Sequence, residues 1–377
     1  MAPRRLHLGA TTALVALGLV AAVEAWAWHG VDRDFYLPDP FRPLALALVL
    51  AFALTAFVQV RPLRRVVRTL AIVVALATLL LEARVRYREL GQTSRVERTA
   101  DPLLRYHYRP GAEAHEIDRP ELVVNHLGLL EDERAIPKPA GVLRIAVLTG
   151  SIANDTSVPF EQRFVRKLEH DLAGAAPDGR RVETVNVSCE GYNTTQQVRL
   201  LEQVGLQYQP DLVVLAYMMT SASVQDGSYR RLGNSFFLFR FLPMLARAEE
   251  GSVCAVFAPY HERYTFDLIV RQAMERLDLL GRVHGFDTLV AVLPVVERFD
   301  DPTCARLYDK VVATSRAIGF DTVRVADAFV GEPPSRFAKP GMEGDVCHPN
   351  VDGHARIAKT LADAVRKHEG WPAAPAR

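Results

Sequence analysis

The sequence is short of several features that would each announce a class of protein. It has only four cysteines, and none forms a Cys-x-x-Cys pair or joins a histidine at zinc-site spacing, so no metal or other cofactor is expected. Neither charge is in excess: 45 Lys and Arg face 44 Asp and Glu, a formal net charge of +1. No basic stripe alternates with aromatics, which removes the usual basis for expecting a nucleic-acid partner. Internal repeats and low-complexity tracts are missing too, which excludes solenoid and fibrous designs.

Charge is also missing locally, in long runs near the start of the chain. Residues 8–28 carry no charge except Glu24, and residues 43–60 carry none at all. At about 1.5 Å per helical residue, each run covers most of a hydrocarbon layer about 30 Å thick. A third run, 66–81, is weaker because Arg68 interrupts its start. A cleaved signal peptide ending at Ala25-Trp26-Ala27 is the alternative for the first run. Arg4 and Arg5 precede that run, and Arg61, Arg64, Arg65 and Arg68 crowd the turn after the second. Positive-inside counting puts both groups in the cytoplasm. Three spans then predict a multi-pass protein of the bacterial inner membrane, with everything after Glu82 outside the cytoplasm. If the third run only lies on the bilayer, the rest of the chain is cytoplasmic. The lipid bilayer is therefore an expected partner; protein partners are not indicated.

The predicted organisation is an anchor of about three helices over residues 1–88, a polar connector with short strands over 89–140, and a globular domain over 141–370. In that domain the pattern turns to strand, turn, helix, repeated. Residues 143–148 (LRIAVL), 182–187, 211–217 (DLVVLAY), 288–294 (TLVAVLP) and 322–325 read as strands. Helices are expected at 160–172, 195–204 and 351–365, the last with Asn350 as N-cap. Strands alternating with helices imply a three-layer α/β sandwich around a parallel sheet, whose ligands bind beyond the carboxyl ends of the strands. Four segments fall there: Thr149-Gly150-Ser151, residues 186–194, Met219-Thr220-Ser221, and Asp345-Val346-Cys347-His348-Pro349-Asn350.

Together, in this order, these segments resemble the SGNH (GDSL-type) serine hydrolases over residues 120–366. The likeness extends to Asn125-His126-Leu127-Gly128-Leu129, Val158-Pro159-Phe160, Gly191-Tyr192-Asn193-Thr194 and Pro210-Asp211, and the terminal Asp345-x-x-His348-Pro349-Asn350 followed by Gly353-His354 is its most specific piece. The resemblance implies a flavodoxin-like parallel sheet and a Ser-His-Asp triad of Ser151, His348 and Asp345. It implies an oxyanion hole from the Ser151 and Gly191 amides and from Thr220. The implied chemistry is hydrolysis or transfer of ester-linked acyl groups of a lipid or cell-envelope glycan, without cofactor.

The pattern also departs from the family. Thr149-Gly150 stands where Gly-Asp is usual, Asp155 and Ser188 replace glycines, and Thr220-Ser221 replaces Asn-Asp. Asp155 is expected to bring negative charge toward the place where an anion forms. A catalytically degenerate, membrane-bound binding or scaffold domain is the competing reading. The run 235–246 (SFFLFRFLPMLA) is read as a helical insertion, packed in the core or serving as a lid. His261 and His354 are read as surface or structural residues. The four cysteines allow three connectivities if oxidised, with buried thiols as the alternative.

Overall fold

The computed structural model describes residues 95–223 and 252–371, apart from 115, 177, 263, 342–344 and 369–370, together with Val66 and Thr69. The chain divides into two units, and the described residues from Arg95 onward belong to Ser94–Gln225 with Glu250–Arg377. The apolar runs at 8–28, 43–60 and 66–81, apart from Val66 and Thr69, and the segment 235–246 lie outside the described residues. Among the described residues, no helix is long and apolar enough to cross a membrane.

The described chain opens on a short antiparallel ribbon, β1 (Val96–Arg98) against β2 (Tyr106–Tyr108). Five further strands form one wholly parallel sheet: β3 (Val142–Thr149), β4 (Arg181–Ser188), β5 (Leu212–Tyr217), β6 (Asp287–Val292) and β7 (Asp321–Arg324). Their order across the sheet is β4-β3-β5-β6-β7. Ile145 marks the register, lying opposite Thr184 on one side and Leu212 on the other.

The helices are α1 (Phe164–Asp171), α2 (Thr194–Gln203), α3 (Val253–Glu262), α4 (Gln272–His284), α5 (Pro302–Ile318) and α6 (Val351–Lys367). Strand side chains alternate between faces, and the two cores follow that alternation. Ala146 and Leu148 of β3 share one cluster with Leu201 of α2, Leu277 of α4 and Val311 of α5. Ile145 and Val147 share the other with Phe164 and Leu168 of α1 and Ile357 and Leu361 of α6. Each fully buried aliphatic side chain contributes about 1.5–3 kcal/mol, so helices cover both faces.

Arg144 breaks the aliphatic run of β3 yet is fully buried. Its guanidinium donates to Glu183 Oε2 from Nε at 3.1 Å and Nη2 at 2.5 Å, and to the Tyr208 carbonyl at 2.9 Å. Burying that charge is tolerable only because the carboxylate and carbonyls replace water. The helix expected from residue 160 starts later. Phe160–Gln162 is a 3₁₀ turn, and Arg163 is extended (φ −71°, ψ 149°) before α1. Asp118 holds this break, its carboxylate accepting from the Phe160 amide at 2.6 Å and the Glu161 amide at 3.1 Å.

Of the pairings open to the cysteines, Cys254 of α3 and Cys304 of α5 form a disulfide, with Cα atoms 5.2 Å apart. Cys189 and Cys347 remain thiols.

Candidate active site

In chain order the sheet strands lie second, first, third, fourth, fifth, so the winding reverses between β3 and β5. A crevice at the carboxyl ends of such a pair is where ligands bind in open parallel sheets. β3 delivers Ser151 to that edge: Thr149 is its last residue, Gly150 makes the turn, and Ser151 opens the 3₁₀ turn Ser151–Asn154. β5 delivers Thr220 to the same edge, in the 3₁₀ turn Met219–Ala222.

Two segments far apart in the chain meet there, one carrying Ser151 and the other Asp345 and His348. The Ser151 Oγ lies 2.7 Å from His348 Nε2. On the other side of the ring, His348 Nδ1 lies 2.7 Å and 3.0 Å from the two carboxylate oxygens of Asp345. A carboxylate can only accept, so the imidazole proton sits on Nδ1 and Nε2 is left to accept the serine hydroxyl. Burial acts to raise the Asp345 carboxyl, but the His348 hydrogen bond and the nearby Lys339 charge outweigh it and hold the group down at about 2.

Asn350 holds the histidine loop in place. Its Oδ1 accepts the Gly353 amide at 3.1 Å, capping α6, while its Nδ2 donates to the carbonyls of Arg336 at 2.8 Å and Ala338 at 3.1 Å. The Val296 amide, just past β6, donates to the Val346 carbonyl at 2.8 Å.

The segment expected to supply an oxyanion donor follows β4. Gly191 has φ +76°, a left-handed conformation that glycine adopts without strain. The ribbon supports this turn: the Tyr106 hydroxyl donates to the Glu190 carbonyl at 2.8 Å, and the Tyr192 hydroxyl donates to the Tyr106 carbonyl. A side chain at Gly150 would meet the Tyr192 carbonyl oxygen at 3.5 Å, so this loop adjoins the nucleophile turn. Thr220 is half-buried, with its carbonyl accepting from the Ser223 amide at 3.0 Å and hydroxyl at 2.6 Å. The Thr194 hydroxyl donates to the Ser221 carbonyl at 3.0 Å, tying the turn after β5 to the loop after β4.

A serine, an imidazole and a carboxylate linked in this order at the reversal point of a parallel sheet decide the arrangement. It is that of a Ser-His-Asp triad.

No family model matches the chain, and no curated protein matches it in sequence. Solved structures similar to it include TesA, at 15% identity over 59% of this chain and 98% of that one, with a TM-score of 0.38. Others are the psychrotrophic esterase EstA from Pseudoalteromonas sp. (14% identity, 59% and 97% covered, TM-score 0.37) and the acetylxylan esterase Axe2 from Geobacillus stearothermophilus (14%, 63% and 100%, 0.40). With TM-scores below 0.5, these likenesses add nothing to what the sheet order and the triad of this chain already provide.

The departures from the SGNH pattern have structural partners. Asp155 does not leave an uncompensated charge at the site, as its sequence position suggested: its Oδ2 lies 2.8 Å from Lys339 Nζ. Burial acts to raise the Asp155 carboxyl, but the hydrogen bonds from Lys339 and Ser157 lower it. Ser188, where a glycine is usual, is buried in a polar network: its hydroxyl donates to Asn186 Oδ1 and accepts from Asn154 Nδ2 at 3.0 Å. Asn186 Nδ2 donates to Asn154 Oδ1 at 2.8 Å, so the network braces the turn that begins at Ser151. Nothing in the sequence spacing marks Asn154, Asn186 or Lys339 as partners.

His261 and His354 are both fully buried, which excludes the surface alternative for each. His354 Nδ1 accepts the Phe164 amide at 3.1 Å, and burial pushes its imidazole down to about 3. His261 joins Tyr217 Oη at 2.8 Å and the Phe257 carbonyl at 2.9 Å. Among the described residues, no group of three or more His, Cys, Asp or Glu is placed to hold a metal ion.

Proposed function

We propose that this protein is a membrane-anchored serine esterase or O-acyltransferase acting on ester-linked acyl groups of a lipid or cell-envelope glycan. The observation that carries the reading is the 2.7 Å contact between Ser151 Oγ and the unprotonated nitrogen of a histidine whose other nitrogen is bound to Asp345. In this reading His348 takes the Ser151 proton as the oxygen attacks the acyl carbonyl. Asp345 keeps the ring in its tautomer and supports the imidazolium. The tetrahedral oxyanion is met by the Ser151 and Gly191 amides and the Thr220 hydroxyl, where one well-placed donor is worth roughly 3 kcal/mol. The protonated His348 then returns its proton to the leaving alcohol. Water or an acceptor alcohol resolves the acyl-enzyme, which separates hydrolysis from transfer.

The membrane part rests on the uncharged runs of the sequence, and the external location on the arginine distribution. The Cys254–Cys304 disulfide supports an oxidising compartment. A domain tethered to a bilayer meets lipid and envelope esters at high effective concentration.

A fluorophosphonate probe tests the reading on the full-length chain. Covalent labelling of wild type and its loss in Ser151→Ala are expected. A folded wild-type protein that takes no label would favour the binding or scaffold domain instead.

A further inference from the structure

The proposed reaction leaves one buried cation beside the triad without a part. Lys339 has a side chain only 8% exposed. An ammonium offers three donors and no acceptor, and here all three are engaged. They meet Asp155 Oδ2 at 2.8 Å, Ser157 Oγ at 2.9 Å and Asp345 Oδ2 at 3.1 Å. The Ser157 hydroxyl in turn donates to Asp155 Oδ1 at 2.6 Å. Asp345 is the same carboxylate that receives the Nδ1 proton of His348. A continuous chain of contacts therefore runs from Asp155 through Lys339 and Asp345 to His348 and Ser151. Asn350 secures the far side of this chain, since it binds the Ala338 carbonyl beside Lys339 and caps the helix that follows His348.

We infer that Lys339 is a positioning residue of the site: it orients Asp345 against His348, cancels the charge of Asp155, and so sets the pH at which His348 can accept the Ser151 proton. The inference rests on the esterase reading for its activity measurement, but its titration measurement stands without it.

The charges that face His348 can be counted. Asp345 comes from its own loop, Asp155 from the turn after Ser151 and Lys339 from the segment before the loop. His354 of α6 is kept neutral by burial at any ordinary assay pH. Arg163, ahead of α1, is paired with the buried Glu116. Two carboxylates and one ammonium therefore leave a single net negative charge beside the imidazole. Removing the ammonium doubles that charge, removing Asp155 abolishes it, and removing both restores it. A neighbouring carboxylate favours the imidazolium and a neighbouring ammonium opposes it, each by on the order of one pH unit.

The experiment uses the full-length chain as wild type, Lys339→Met, Asp155→Asn and the double variant. The ring signals of His348, assigned by their loss in His348→Gln, are followed by NMR through a pH titration. In parallel, the rate of Ser151 labelling by a fluorophosphonate is measured against pH. Lys339→Met is expected to move the His348 midpoint and the acidic limb of labelling upward by about one unit, and Asp155→Asn to move both downward by a similar amount. The double variant should return close to wild type.

Shifts of the same sign in both single variants, or no shift in either, would overturn the inference. So would a double variant whose His348 midpoint stays away from wild type, because only opposite charge effects cancel when both groups are removed. If Lys339→Met fails to fold, Asp155→Asn decides alone: a downward shift supports the inference and an unchanged titration sinks it. Absence of any labelling in wild type would strike the esterase reading, while the NMR titration would still judge Lys339.

Discussion

At Asp345 burial and charge pull in opposite directions, and charge wins. The carboxyl is held at about 2, below its ordinary value, chiefly against desolvation, by the bond from His348 and by Lys339. The folded state therefore binds this proton less readily than the unfolded state does. The stability that follows is complete above the ordinary carboxylate range and is lost as pH falls from about 4 through about 2. Asp345→Asn should remove that portion of acid destabilisation, as read from urea midpoints across the window. The same change should cost activity for a separate reason. An amide that donates to Nδ1 forces the ring proton onto Nε2, where it blocks transfer from Ser151. A loss on the order of 10³–10⁴-fold in labelling rate is expected, with the fold intact.

Elements carry the site through a few close approaches, and Gly353 in the first turn of α6 shows how tight they are. A Cβ there would stand 2.4 Å from Pro349 Cβ, and Pro349 is the residue after His348. In a helix interior, alanine for glycine usually gains up to about 1 kcal/mol. Here the clash reverses the sign. Gly353→Ala should destabilise by about 1–3 kcal/mol and slow labelling of Ser151, checked by chemical denaturation and by the probe.

The strands are the part of the fold most legible in the sequence, because parallel strands buried on both faces read as unbroken aliphatic runs. The expectations at 182–187 and 322–325 fall within one residue of β4 and β7. Asn350 is legible as a cap because its side chain must accept a helix amide, as it does. Other features escape for physical reasons. The start of α1 depends on Asp118, a carboxylate distant in sequence, and Arg144 looks like a flaw in a strand until Glu183 is placed beside it. Within the site, Ser151, Asp345 and His348 were legible through ordered motifs at strand ends. Lys339 was not, since a lone lysine among prolines and glycine carries no pattern until the sheet brings Asp155 to it.

Across the whole molecule, the compartment and the cysteines make one linked expectation. Cys254 and Cys304 are joined, while Cys189 and Cys347 remain thiols. Disulfides persist where the surroundings oxidise, as they do outside the cytoplasm, where the proposed three-span topology would put this domain. Protein isolated from cells should therefore offer two cysteines to an alkylating reagent after unfolding, and four after reduction. A reporter that works only outside the cytoplasm, fused after Arg377, should be active. Four alkylated cysteines without reduction and a silent reporter would together favour two spans.

The tyrosine ribbon also decides where the chain can be shortened. A fragment cut to begin at Val142 would keep all five strands of the parallel sheet and every member of the triad. It would nonetheless strip the Glu190 carbonyl of its phenol donor and leave a hole where the Tyr106 and Tyr108 rings are buried. Any trimmed version has to begin ahead of Arg95, whose own guanidinium donates to the Ala114 carbonyl at 2.9 Å and pins the ribbon from below.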